Sequence, residues 1–147
     1  MISPLSNLSS KAYTKAVKPL LFKQQPDTVH ERLLRAGGRL QRLRIVRGLV
    51  RGVWAYQDNA RLGQEVLGIR FCNPIGLSAG FDKNFELLPM LKSIGFGFME
   101  GGSLTHEPCA GNPKPWFYRL PKTKSLVVYA GLANQGVTKI YRKNQRL

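Results

Sequence analysis

Apolar residues recur at helical spacing through the first third of the chain and form shorter runs after it. Residues 11–23 place them opposite lysines, which predicts an amphipathic helix that Pro19 should kink or break. A second helix is predicted to begin at Pro26 and to weaken or end at the glycine pair 37–38. Residues 1–10 are polar and serine-rich, which predicts a loose tail before the first helix.

The segment 39–57 has the most one-sided pattern in the chain. Its apolar stripe consists of Leu40, Leu43, Val46, Leu49, Val50, Val53 and Trp54. Its arginines, Arg39, Arg42, Arg44, Arg47 and Arg51, occupy the remaining surface. A basic amphipathic helix can cap a domain, dock on an anionic bilayer or bind nucleic acid, and the pattern alone leaves all three open.

Short apolar runs bounded by turn residues predict strands in the rest of the chain. They are a hairpin at 64–71 with Gly68 at the turn, a strand at 96–100, and a hairpin with arms 116–120 and 126–129. A further helix is predicted over 137–147.

The chain is organised around residues 73–84, NPIGLSAGFDKN. A brief apolar run ends in the small residues 78–80, and Lys83 and a predicted helix over 85–94 follow. A strand that ends in small residues lets another group approach its backbone, and α/β folds bind ligands at this end of their strands. The pattern by itself equally allows an ordinary βα turn with a solvated lysine.

Composition adds a strong charge imbalance to this picture. The 147 residues carry 23 Lys and Arg against 8 Asp and Glu, a net charge of +15, with the larger share in residues 1–62. This surplus favours nucleic acid, anionic lipid or a phosphorylated ligand as a partner. Cys72 and Cys109 show no metal-ligand spacing and suit a reducing compartment. No run approaches the about 18 apolar residues of a membrane span, and no signal peptide is predicted.

Four blocks in order resemble the quinone-linked, membrane-associated class 2 dihydroorotate dehydrogenases. They are QPDTVHE at 25–31, the central NPIGLSAGFDKN, GFGFMEGGS at 95–103 and GNPKPWFYRLP at 111–121. The resemblance implies an α/β protein with a helical membrane-surface domain at 1–62, which forms the mouth of a quinone tunnel. Residues 63–147 would begin an FMN-binding (β/α)8 TIM barrel. Because such a barrel needs about 250 residues, the chain is expected to be an N-terminal part of the enzyme.

The resemblance also assigns flavin-binding roles to individual residues. Ala79 and Gly80 match positions whose backbone runs along the flavin. Lys83 matches a lysine that touches both FMN and the substrate, where it would hold a fixed positive charge. Ser103 matches a position that hydrogen-bonds the flavin, and its alternative is a helix or turn cap.

His30 and Arg119 match a pair that lines the quinone tunnel. The alternatives are a surface histidine and a strand-edge charge. The block 128–136, VYAGLANQG, departs from the family, since Val128 stands where an asparagine binds the orotate ring and Leu132 replaces a phenylalanine. An unpaired substrate polar group costs about 1–3 kcal/mol, so substrate binding is less secure than flavin binding.

The implied activity is oxidation of dihydroorotate to orotate in pyrimidine synthesis, with FMN as cofactor and a quinone as electron acceptor. The catalytic base would lie beyond Leu147, so no catalytic residue and no metal ligand is expected within the chain, which should be inactive alone. The expected location is the cytoplasmic face of a bacterial inner membrane, or the mitochondrial inner membrane. Expected partners are an anionic membrane surface and the remaining barrel, with nucleic acid not expected. A small basic nucleic-acid-binding protein and a catalytically dead membrane-surface remnant are the rival interpretations.

Overall fold

A computed structural model describes residues 4–55 and 59–145 as a mixed α/β protein. The helices are α1 (Pro4–Ala12), a π-helix (Tyr13–Val17), α2 (Lys18–Phe22), α3 (Pro26–Leu40), α4 (Arg44–Trp54), α5 (Asn59–Leu62), α6 (Leu88–Ile94) and α7 (Val137–Asn144). The strands are β1 (Gln64–Val66), β2 (Ile69–Phe71), β3 (Gly76–Leu77), β4 (Phe98–Met99), β5 (Phe117–Leu120) and β6 (Ser125–Val128). None of the described helices is long and apolar enough to cross a membrane.

The N-terminal segment is more helical than its sequence predicts. The loose tail predicted over residues 1–10 is wrong from Pro4 onwards, because α1 begins there. Pro19 does not break the helical path, since it lies in the first turn of α2, where its missing N–H is not needed. The π-helix directly precedes this proline, and the wider turns of a π-helix are one way to accommodate it.

Helix α3 continues through the glycine pair 37–38, which was predicted to weaken or end it. A Cβ on Gly37 would lie 2.9 Å from Leu87 Cδ2, so the glycine lets the leucine pack against the helix backbone. The single helix predicted over 39–57 is also wrong: residues 41–43 separate α3 from α4. Gln57, at its predicted end, lies outside the described residues.

A β/α/β unit forms the centre of the fold. Strands β3 and β4 pair in parallel, with α6 between them in sequence. The predicted helix over 85–94 begins three residues late, at Leu88. The delay has a physical cause, because the carboxylate of Asp82 accepts hydrogen bonds from the backbone N–H groups of Glu86 and Leu87 and holds residues 82–87 as a loop.

The two predicted hairpins are present. Strands β1 and β2 pair antiparallel around the turn at Leu67-Gly68, and β5 and β6 pair antiparallel around residues 121–124. The principal core lies beneath α6, where Leu87, Met90 and Leu91 are buried. Partly buried apolar residues of α3, α4, β3 and β4 pack against it: Leu34, Val46, Val50, Leu77 and Met99. Helix α4 therefore caps the core through Val46 and Val50, as one of its three sequence interpretations predicts.

Candidate functional site

The C-terminal ends of β3 and β4 border a small cavity of about 190 Å³. Its lining consists of Ala79, Gly80, Lys83, Gly102, Ser103, Gly131, Leu132 and Ala133. All four residues that the sequence assigns to flavin binding are in this set. We call this space the Lys83 cavity.

Small residues make the walls of the Lys83 cavity. A Cβ added to Gly80 would meet no atom within 4 Å, so open space lies directly beside this backbone. At Gly102 the added Cβ would lie 3.1 Å from the Cα and Cβ atoms of Lys83, so this glycine lets the lysine pass close to the end of β4. The cavity can thus receive a flat group against its backbone at Gly80.

Lys83 is half-buried, and no ion pair or hydrogen bond holds its ammonium group among residues 4–55 and 59–145. It does not lie at the start of a helix, because α6 begins at Leu88. The loop that carries it is anchored by Asp82, whose side chain is fully buried at 1% exposure. An unpaired ammonium group in a cavity attracts an anionic or electron-rich ligand.

Ser103 lies opposite this loop and is exposed. Within the described part of the chain its hydroxyl group makes no hydrogen bond, so the structure gives no sign of the alternative role as a cap. The hydroxyl group is available to a ligand in the Lys83 cavity.

His30 lies in the interior seam between α3 and β5 and is half-buried. Its Nε2 atom is 2.6 Å from the carbonyl oxygen of Phe81, and because a carbonyl only accepts, Nε2 carries the proton and donates. Its ring packs against Phe81 and Phe117 with centroid separations of 5.5 and 5.3 Å. The alternative of a surface histidine is therefore wrong.

Arg119 extends from β5 towards the N-terminal helices. Its Nη1 atom donates to the carbonyl oxygen of Gln24 at 2.7 Å, and its guanidinium group lies 4.6 Å from the ring centroid of Phe22. Since Phe117 and Arg119 are alternate residues of one strand, His30 and Arg119 belong to the same seam. The two side chains are bonded to different partners.

Of the two positions that depart from the family pattern, one lines the Lys83 cavity and one does not. Val128 belongs to β6 and is 53% exposed, and it does not line the Lys83 cavity, whereas Leu132 does. Asn134 is buried, and its side-chain amide bonds Thr105, Leu132 and the Gly136 N–H. This asparagine holds the loop structure and has no free hydrogen-bonding capacity to replace the one missing at Val128.

Two carboxylates that are not among the predicted site residues organise the site. Asp82 fixes the loop of Lys83, and Asp27 accepts bonds from the backbone N–H groups of Trp116 and Phe117 at 2.9 and 3.3 Å. Asp27 thereby joins α3 to β5 beside His30. Asp27 follows Pro26 in the first turn of α3, where an acidic residue is typical of a helix start. This local pattern does not indicate the bonds to Trp116 and Phe117.

Comparison with known proteins places these residues in a family. A family model described as dihydroorotate dehydrogenase matches residues 61–147. A dihydroorotate dehydrogenase (quinone) from Chloroflexus aurantiacus is 37% identical over 92% of the chain and 38% of the relative. One from Stutzerimonas stutzeri is 42% identical over 82% of the chain and 33% of the relative.

Solved structures agree with the sequence relatives. The ligand-free dihydroorotate dehydrogenase from Eimeria tenella is similar with a TM-score of 0.66 and 30% identity, over 82% of this chain and 31% of that one. The Eimeria enzyme in complex with ferulenol gives a TM-score of 0.69 at 29% identity, over 83% and 30% of the two chains. The chain thus spans about a third of the length of its relatives.

Proposed function

The chain belongs to the dihydroorotate dehydrogenase family, and from that membership we propose that it forms the flavin-facing and quinone-facing N-terminal part of a quinone-linked enzyme. The reaction would oxidise dihydroorotate to orotate. In this proposal residues 1–62 are the membrane-surface domain and residues 63–147 begin the (β/α)8 barrel. The observation that carries it is the convergence of Ala79, Gly80, Lys83 and Ser103 on one cavity.

The residues that line the Lys83 cavity fit one part of an FMN-binding site. Ligand pockets usually measure about 300–1,000 Å³, so a cavity of about 190 Å³ supplies one wall of a flavin site. The open space beside Gly80 is what a flat ring against the backbone requires. Bound FMN would supply hydride acceptance from the substrate and electron transfer to the quinone.

The chain's own residues would bind and orient these groups. Lys83 would offer a positive charge to the electron-rich edge of the ring and to the substrate carboxylate, and Ser103 would offer a hydroxyl hydrogen bond. Asp82 keeps Lys83 at the cavity by holding its loop. Proton abstraction from the substrate belongs to a base outside these 147 residues, which is why the chain should not turn over dihydroorotate alone.

The quinone would enter along the seam of α3 and β5. Arg119 uses one of its five N–H groups on Gln24, so the others can donate to a quinone carbonyl. His30 donates its Nε2 proton to Phe81, so its Nδ1 would be an acceptor for a hydroxyl group of the reduced quinone. The Phe81 carbonyl belongs to the residue after Gly80, so this hydrogen bond connects the proposed quinone residues to the flavin-facing backbone.

The proposed location is the surface of an energy-coupling membrane, on the cytoplasmic face in a bacterium. Helices α1 and α2 expose Leu5, Leu8, Leu20 and Phe22. Lysines at positions 11, 15, 18 and 23 accompany them. This composition suits a helix lying in the interface of an anionic bilayer.

The cofactor proposal is tested by introducing a side chain at position 80. The Cβ of Gly80→Val enters open space, so the free energy of unfolding should change by less than about 1 kcal/mol, while FMN affinity falls at least about tenfold. FMN fluorescence quenching measures the affinity. Gly38→Val is the matched control, because its Cβ also meets open space but lies outside the Lys83 cavity. Equal FMN affinity in both variants would remove Gly80 from the flavin site.

The activity proposal needs a complete barrel, which a chimera provides. Residues 1–147 would replace the matching part of the Chloroflexus enzyme, whose sequence is 37% identical over the matched region. The chimera should carry FMN and show weak quinone-dependent oxidation of dihydroorotate. Val128 is exposed and outside the Lys83 cavity in the chain itself, and the remaining barrel would have to bring it to the substrate ring. In the chimera Val128→Asn should then raise kcat/KM about tenfold by restoring a hydrogen bond to that ring. A chimera that folds and does not bind FMN would contradict the proposal.

A further inference from the structure

A second and larger cavity of about 770 Å³ lies between α4, α6 and the start of β4. It shares no lining residue with the Lys83 cavity. Its size falls within the range of about 300–1,000 Å³ that accommodates small organic ligands. We call it the arginine cavity, after the residues of α4 that line it.

Cationic side chains line one side of the arginine cavity. Arg44, Arg47 and Arg51 come from one face of α4, and Lys92 comes from α6. At 1.5 Å rise per residue, the arginines form a row about 10 Å long. No aspartate or glutamate of the described residues lines the cavity, so these charges are not neutralised within it.

Arg47 is the central residue of this row and is only partly exposed. Its Nε atom is buried and has no hydrogen-bond partner within the described residues. Because that atom is closed off from the cavity, a ligand would be bound by the terminal Nη groups of Arg47. Guanidinium groups bind both phosphate and carboxylate oxygens in a bidentate manner, and a row of three arginines favours a ligand that carries several negative charges.

The opposite wall of the cavity is apolar and partly aromatic. It includes Leu88, Phe96, Phe98 and Met99. The ring of Phe98 packs edge-on against Phe71 at a centroid separation of 5.6 Å and is 45% exposed, so part of it is open to a ligand. A ligand suited to both walls therefore joins several phosphates to a flat, apolar group.

We propose that the arginine cavity binds a nucleoside di- or triphosphate. Its phosphate chain would lie along Arg44, Arg47 and Arg51, and its base would pack against the wall that holds Phe98. A phospholipid headgroup offers one phosphate to four cations and leaves most of the row unpaired. A single-stranded RNA would need a track of cations and aromatic side chains across the surface, whereas this set is confined between two helices.

The proposal is tested by isothermal titration calorimetry of the full chain with ADP and with UDP, in the absence of divalent metal. Arg47→Gln should weaken binding at least about tenfold, because it removes the central bidentate contact. Arg51→Gln, on the exposed rim, should also weaken it and keeps the test valid if the Arg47 variant is unstable. Arg42→Gln is the matched control: it removes the same charge from an exposed side chain outside the cavity and should change affinity less than about twofold.

Each other outcome identifies a different ligand or site. Equal losses in the Arg42 and Arg47 variants would show diffuse attraction to a basic protein and overturn the proposal. Pyrophosphate binding as tightly as ADP would exclude a role for the base. Displacement of ADP by phosphatidylglycerol vesicles or by an RNA oligonucleotide at lower concentrations would assign the cavity to those partners. Nucleotide binding that depends on Lys83 and not on Arg47 would place the ligand in the other cavity, so this test is separate from that of the flavin proposal.

Discussion

The segment from β3 to α6 and the N-terminal helices α1 and α2 are stabilised in opposite ways. In the first segment Asp82, Leu87 and Leu91 are 1%, 4% and 3% exposed. In α1 and α2 no residue is buried, and Leu8 and Leu20 are 65% and 61% exposed. Internal hydrogen bonds and packing fix the first segment, whereas the second presents its apolar face outwards.

This difference separates the roles that the two regions can have. A cavity that holds a cofactor needs side chains in fixed positions, and the bonds of Asp82 provide this for Lys83. A helix that lies on a bilayer needs exposed apolar area and few internal contacts. Substitutions should therefore affect stability in the first region and surface binding in the second.

The largest effect is expected from Asp82→Ala. The substitution leaves the N–H groups of Glu86 and Leu87 without partners in the core, so the free energy of unfolding should fall by about 3 kcal/mol. Urea denaturation followed by circular dichroism measures it. Glu65→Ala removes a carboxylate from an exposed strand and should change the value by less than about 0.5 kcal/mol. Similar losses in both variants would show that Asp82 has no special structural role.

Local signals in the sequence were sufficient for most elements of the fold. The turn at Gly68, the basic turn after Leu120 and the start of α3 at Pro26 all follow from residue types with strong backbone preferences. The motif 73–84 also placed the Lys83 cavity at the end of a strand, although that strand is only partly buried. Ser103 could be assigned to the same cavity only through the resemblance to the family, because its spacing from Lys83 in the sequence does not indicate that the two residues are close.

Side-chain contacts that no hydrophobic periodicity indicates explain most of what the sequence could not predict. Helix α6 begins late because Asp82 captures the preceding N–H groups, and α3 passes through Gly37 because Leu87 packs there. The arginine row of α4 was predicted as outer surface, yet it lines a cavity against α6. Asp82 acts on residues close to it in sequence, whereas Leu87 and α6 are distant in sequence from the positions they affect, and a periodicity reveals neither kind of contact.

An intermediate effect is expected where α3, which follows α2 in the chain, is bonded to β5. Asp27→Ala removes the bonds from Asp27 to the N–H groups of Trp116 and Phe117, so the free energy of unfolding should fall by about 2 kcal/mol. Hydrogen exchange at these two amides should become faster even under native conditions. Glu107→Ala, whose side chain is 82% exposed, serves as the control and should leave both quantities unchanged. Unchanged exchange in the Asp27 variant would contradict the proposed connection between α3 and β5.

The smallest effect on stability is expected on the exposed face of α2. Leu20→Gln should change the free energy of unfolding by less than about 0.5 kcal/mol, because the side chain is already 61% exposed. Its affinity for phosphatidylglycerol vesicles should fall about tenfold, since burial of a leucine in a bilayer contributes about 1.5–3 kcal/mol. Leu67→Gln is the control, at 97% exposure on the β1–β2 turn, and should bind vesicles like the unmodified chain. Sedimentation with vesicles measures both. Equal vesicle affinity of the two variants would mean that α2 does not contact the membrane, and the contrast between the two regions would then reflect only how deeply each is buried.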